Sequence, residues 1–156
     1  MFVNNNSNRQ SNQYKKDYRN RQNDHEYAPR AMALENNYVD LAEKVMRENH
    51  RNITSSKLRS ILSMVSSIYN TERVGDKELS ETSQNSLRML RVRIIYEYGR
   101  NDAGFKKFIR ESHILDYLLD IGSDRQKFID YAQYMEAIVA YHKFYGEKCY
   151  VRKTDY

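Results

Sequence analysis

Apolar residues recur at helical spacing along most of the chain. Leu34, Tyr38, Leu41 and Val45 follow one another at intervals of 4, 3 and 4, which predicts one helix from Ala31 to near Asn49 with a single apolar stripe. Thr54 can cap the next, in which Leu58, Ile61, Leu62, Val65, Ile68 and Tyr69 share a face up to turn signals at Gly75 and Asp76. Ser80 or Thr82 opens a third helix with Leu87, Leu90, Ile94, Ile95 and Tyr98 toward the core, stopped at Gly99-Arg100-Asn101 by a glycine signal. Asp102 caps a fourth, carrying Phe105, Phe108 and Ile109. The dense apolar run from Ile114 to Ile121 ends at Gly122, and with the fourth helix it makes either one bent helix or two short ones. Ser123-Asp124-Arg125-Gln126 reads as a capping box opening the last helix, with Phe128, Tyr131, Ala132, Met135, Val139 and His142 on one face and Gly146 just past its end. At 1.5 Å per residue that helix spans roughly 35 Å, long enough to be the spine of a small bundle.

Residues 1–30 break the pattern. Seven Asn and three Gln, with Val3 the only aliphatic branched residue, leave almost nothing to bury against the entropy of ordering, so a disordered tail is expected. Tyr14, Lys15, Lys16, Tyr18, Arg19, Arg21, Tyr27 and Arg30 mix cations with stacking rings, a composition that can hold single-stranded RNA loosely; a dispensable solvated extension is the competing reading. With one proline and five glycines in 156 residues, the expected fold is all-α. It is a compact bundle of about five helices over residues 31–148, between the N-terminal tail and a short polar tail at 149–156.

Charge and chemistry narrow the function. Residues 1–30 carry six Lys/Arg against three Asp/Glu, so more than half of the net charge of +5 lies in the tail and the bundle is nearly balanced. Any nucleic-acid argument therefore rests on where the bundle's cations sit. Cys149 stands alone, which fits a reducing cytoplasm, and the N-terminus lacks an apolar export core. No apolar run is long enough to cross a membrane. The Asn52-Ile53-Thr54 sequon has no secretion signal to make it meaningful, and Thr54 serves better as a cap. Gly-rich phosphate loops, HExxH, paired CxxC and GxSxG are all absent, so no enzyme, metal or cofactor is expected. His25, His50, His113 and His142 are far apart. His142 lies on the apolar face of the last helix and reads as a satisfied core histidine in preference to a catalytic one; its discriminator is whether it shares a cleft with Glu136.

Three groups of cations are candidates for RNA phosphates. Lys57 and Arg59 open the second helix, where free N–H groups and the dipole also favour an anion. On a wheel of the third helix Arg91 falls at about 40° from Leu87, inside the apolar stripe, so it either snorkels, pairs with a carboxylate such as Glu136, or binds phosphate. Arg88 and Arg93 point away from the core on different sides. Lys106, Lys107 and Arg110 cluster on the fourth helix, and Lys143 flanks the core stripe of the last.

Ile53 to Arg59 (ITSSKLR), Arg91 to Arg100 (RVRIIYEYGR) and Phe128 to Gly146 (FIDYAQYMEAIVAYHKFYG) resemble the blocks of the small subunit of type III-A CRISPR (Csm) complexes. The resemblance extends in order over residues 31–148 and leaves the Asn-rich tail outside. It implies a small helical bundle repeated along a filament beside the backbone subunits, lining the groove for target RNA in a guide-RNA ribonucleoprotein of antiviral defence. It also implies no catalytic residues, since cleavage belongs to the backbone and large subunits. Residue by residue it carries RNA contact over only to Lys57, Arg59, Arg91, Arg93, Arg100 and Lys143; Arg88, Lys106, Lys107 and Arg110 rest on local charge alone. Sequence-independent target-RNA binding is the leading expectation, and a purely structural adaptor docking backbone subunits is the alternative.

Overall fold

A computed structural model describes the backbone of residues 27–154 and the side chains through Glu147. The described residues form six helices: α1 (Tyr38–Asn49), α2 (Ser55–Glu72), α3 (Glu81–Gly99), α4 (Ala103–Ser112), α5 (Ile114–Ile121) and α6 (Arg125–Thr154). The expected all-α bundle is what the chain adopts. α6 is the spine and packs on α1, α2 and α5, while α3 lies against α2, α4 and α5. Phe105, Phe108, Phe128, Met135 and Ile138 are fully buried around it. Burying each large side chain of this kind contributes about 1.5–3 kcal/mol.

The caps follow local chemistry. Thr54 accepts from Lys57 N at 3.2 Å, Ser80 Oγ from Ser83 N at 3.2 Å, and Asp102 Oδ1 from Gly104 N at 3.0 Å. Each satisfies an N–H that the first helical turn leaves without a partner. For α6 the cap is shifted by one residue from the expected box. Asp124 accepts from Lys127 N at 3.0 Å, while the Ser123 carbonyl accepts from Leu79 N at 2.9 Å. With Arg125 N donating to the Lys77 carbonyl at 3.0 Å, this pins the α2–α3 connection to the start of the spine.

The open question at residues 102–121 resolves as two helices. His113 takes φ 54°, a left-handed conformation that ends α4 and starts α5. The break is clamped from α6: Tyr134 donates to the Ser112 carbonyl at 2.7 Å and Tyr131 to the Ile114 carbonyl at 2.9 Å. Burial pushes both phenols far above their ordinary range, so they remain neutral donors.

Several expectations are corrected. α1 starts at Tyr38 rather than Ala31, and the segment before it is held against α5, with the Arg30 N–H donating to Asp116 Oδ1 at 2.8 Å and the Met32 N–H to the Asp116 carbonyl at 3.2 Å. Tyr27 and Arg30, read as tail, lie in this placed segment, and Tyr27 stacks 5.3 Å from Tyr98. The other tail residues singled out above, Tyr14 through Arg21, fall outside the described residues. α3 ends at Gly99 as expected, yet the left-handed residue is Asn101, at φ 71°, not a glycine. Gly146 does not end α6, which runs on to Thr154 through the stretch read as a polar tail. A helical glycine costs only about 1 kcal/mol and stops nothing unless it turns left-handed. Ile95 is 47% exposed on the outer face of α3, not in the core.

Glu72, buried at the end of α2, accepts through Oε1 from Ser80 Oγ at 2.6 Å and Ser80 N at 3.1 Å. These bonds, with Ser83 and Arg125 nearby, hold its carboxyl below the ordinary carboxylate range. A depressed folded pKa contributes stability that is present above the unfolded value of about 4.3 and lost as pH falls through the folded one. The expected result is that Glu72→Gln costs about 1–2 kcal/mol at neutral pH. It also flattens the acid limb of thermal midpoint against pH; an unchanged limb would refute this account of Glu72.

Candidate nucleic-acid interface

α2 begins where the loop from α1 meets the spine. His142 on α6 donates from Nε2 to the Ile53 carbonyl at 2.9 Å, which ties that loop down one residue before the Thr54 cap. Beside this tether lies a groove of about 370 Å³ lined by Ser55, Arg59, Val139, His142, Lys143 and Gly146. Arg59 and Lys143 are exposed on opposite walls. Neither makes an ion pair among the described residues. The first-turn N–H groups of α2 lie at the same end, where the helix dipole favours an anion. The groove also admits one carboxylate, Glu147. Half-buried and bonded, His142 acts as a structural tether; Glu136 is exposed and does not line this groove.

Lys57 does not join Arg59. It turns to the other side of α2, where Nζ lies 3.4 Å from Asp102 Oδ2, 3.6 Å from Glu97 Oε2 and 5.1 Å from the Phe105 ring centroid. Glu97 is buried and draws in two more expected contacts: Arg93 Nε at 3.7 Å and Arg100 Nη1 at 3.5 Å. Asp102 is held below the ordinary carboxylate range, first by the Phe105 N–H and then by Lys57. So three candidates from two helices and a loop converge on one carboxylate that the sequence reading did not single out. The signal was there in the Arg93, Glu97, Arg100 spacing of four and three, which puts all three on one helix face.

The remaining candidates divide. Arg88 and Arg91 line a groove of about 360 Å³ between α3 and α5, together with Gln84, Leu118 and Ser123, and Arg88 bonds Asn85 Oδ1. Arg91 is exposed at this groove and makes no ion pair with Glu136, so the buried pair is not what the described residues show. Lys106 is not on the surface. It is 8% exposed, with Nζ 5.5 Å over the Tyr98 ring. Lys107 is exposed and 3.9 Å from Glu111, and Arg110 is half-buried on the side of Tyr27. Among the described residues no three His, Cys, Asp or Glu gather as a metal site. No described helix is long and apolar enough to cross a membrane.

A family model described as Csm2 Type III-A matches residues 33–148. A Streptococcus thermophilus protein named "CRISPR system Cms protein Csm2" is 38% identical over 124 residues, covering 76% of this chain and 98% of its own length. Proteins of the same name from Enterococcus italicus and Mycobacterium tuberculosis are 34% and 30% identical, covering 69% and 74% of this chain and 88% and 96% of their own.

Proposed function

The chain belongs to the Csm2 type III-A family, and on that premise we propose that it is a non-catalytic subunit of a cytoplasmic CRISPR ribonucleoprotein that grips target RNA by its phosphates. Its partners are the guide–target duplex, the backbone and large Csm subunits, and further copies of itself in a filament. A subunit that follows a duplex whose sequence is already read by pairing needs backbone contacts, not base contacts. The observation that carries this reading is the Arg59–Lys143 groove at the N-terminus of α2. Two exposed cations, one from α2 and one from α6, line it beside a helix end suited to an anion. One copy holds few phosphates, and successive copies on one strand gain by effective concentration.

The test is binding of the full chain to a labelled oligouridylate across a salt series. Affinity is expected to fall linearly on a log–log plot, by about 0.7 per phosphate contact. Arg59→Glu with Lys143→Glu should weaken it about tenfold or more and flatten that slope. Salt-independent binding, or a reversed pair that binds like the wild type, would sink the reading. The adaptor reading draws on Lys57, which internal carboxylates already engage. It gains if the reversed pair abolishes assembly with the backbone subunits, and loses if assembly survives while RNA binding goes.

A further inference from the structure

We propose, on the footing of the RNA-binding reading above, that Glu97 is a positioning residue for a second phosphate seat formed by Arg93 and Arg100. Glu97 is 5% exposed, and a carboxylate that deep persists only with compensating charge. It receives more than it needs. Lys57 comes from the first turn of α2, Arg93 from one turn back on α3, and Arg100 from just past its end. Even counting Asp102, which shares Lys57, cations outnumber carboxylates in the cluster. A purely structural bridge needs no such surplus.

The geometry leaves that surplus facing out. Arg93 meets Oε1 and Arg100 meets Oε2, each through a single nitrogen, at 3.7 and 3.5 Å. These separations hold the groups by charge without hydrogen-bonding them, and Glu97 Oε2 accepts no hydrogen bond. Among the described residues, the remaining guanidinium donors make no contact apart from a 3.4 Å one of Arg93 Nη2 with Ser60 Oγ. The two arginine side chains are 49% and 56% exposed, whereas Lys57 is 26% exposed and sits behind them. A guanidinium drawn toward a carboxylate on one side keeps its other N–H groups in a planar fork, the geometry that suits a phosphodiester oxygen pair. The ligand class is the RNA backbone, and Glu97 acts on it only through the arginines.

The sign of one substitution separates positioning from simple charge. Glu97→Gln keeps the shape and removes one negative charge, so charge alone predicts equal or tighter RNA binding. Positioning predicts weaker binding of oligouridylate by the full chain, about threefold to tenfold, with a shallower salt slope as the arginines lose their common anchor. Asp120→Asn, which frees Lys127 near the start of α6, should bind equally or more tightly and calibrates the charge effect. Equal or tighter binding by Glu97→Gln overturns the proposal. Where Glu97→Gln does not fold, Arg93→Lys serves: it keeps the charge and loses the fork, so weakened binding supports the seat and wild-type binding overturns it. If reversal at Arg59 and Lys143 weakens binding while Glu97→Gln does not, this seat falls and the RNA-binding reading stands. Salt-independent wild-type binding removes both.

Discussion

Replacing Tyr131 and Tyr134 together by phenylalanine is expected to destabilise the fold by about 2–5 kcal/mol, with a fall in thermal midpoint of about 8–20 °C. The two hydroxyls donate to the carbonyls on either side of His113: the Ser112 carbonyl, which the end of α4 leaves without a helical partner, and the Ile114 carbonyl, which takes the tyrosine as a second donor. Both phenols are buried, so water does not take over when a hydroxyl is removed; the orphaned Ser112 carbonyl costs about 1–3 kcal/mol, and the lost second bond at Ile114 about 1 kcal/mol more. The rings themselves are kept by phenylalanine, which isolates the hydrogen bonds from the packing. Single variants should each lose part of the effect and sum imperfectly, since the two sites share one break. Thermal denaturation of the four proteins decides it, and a double variant within about a degree of wild type would mean the clamp does not hold the break.

A second large effect is expected from one added methyl group. A Cβ at Gly104 would stand 3.1 Å from the Asn52 carbonyl oxygen, 3.2 Å from its Cα and 3.3 Å from its Oδ1. Two of those atoms are backbone, in a loop that is itself tied down. Asn52 N donates to the Asn49 carbonyl at 2.8 Å, and Asn49 is fully buried with its amide on Glu111. Gly104→Ala should therefore cost about 1–3 kcal/mol by overpacking. Because the next two residues are the His142 partner Ile53 and the cap Thr54, the strain should also reach the Arg59–Lys143 groove. The check is a denaturation midpoint together with the RNA affinity of the folded variant. A variant as stable as the wild type would show that the loop gives way freely.

These expectations bear on function because the groove and the Glu97 cluster flank the same end of α2. Thr54, His142 and Gly104 place the helix start, and Lys57 and Arg59 leave it on different sides. One face offers open cations to a ligand, and the other spends a lysine holding α2 to α3 and α4.

Most of the helical order was legible in the sequence, since apolar spacing of three and four is a property of a single helix face. The caps at Thr54 and Asp102 were equally legible, and Ser80 was one of two offered for α3, because each hydrogen bond closes within three residues. The three blocks that carry the family resemblance were readable for the same reason: they are contiguous. What the sequence could not decide was whatever depends on a distant partner. His113 turns left-handed where Tyr134 takes up the freed Ser112 carbonyl from 22 residues away and Tyr131 bonds the Ile114 carbonyl from 17. Asp116 pins the backbone at Arg30 from 86 residues away. Lys57 looked like the neighbour of Arg59 until Asp102, 45 residues on, turned it the other way. Local hydrogen bonds and periodicity act within a turn or two and are written in the order of residues, whereas the direction of a long charged side chain is set by whichever carboxylate the packed helices bring within reach.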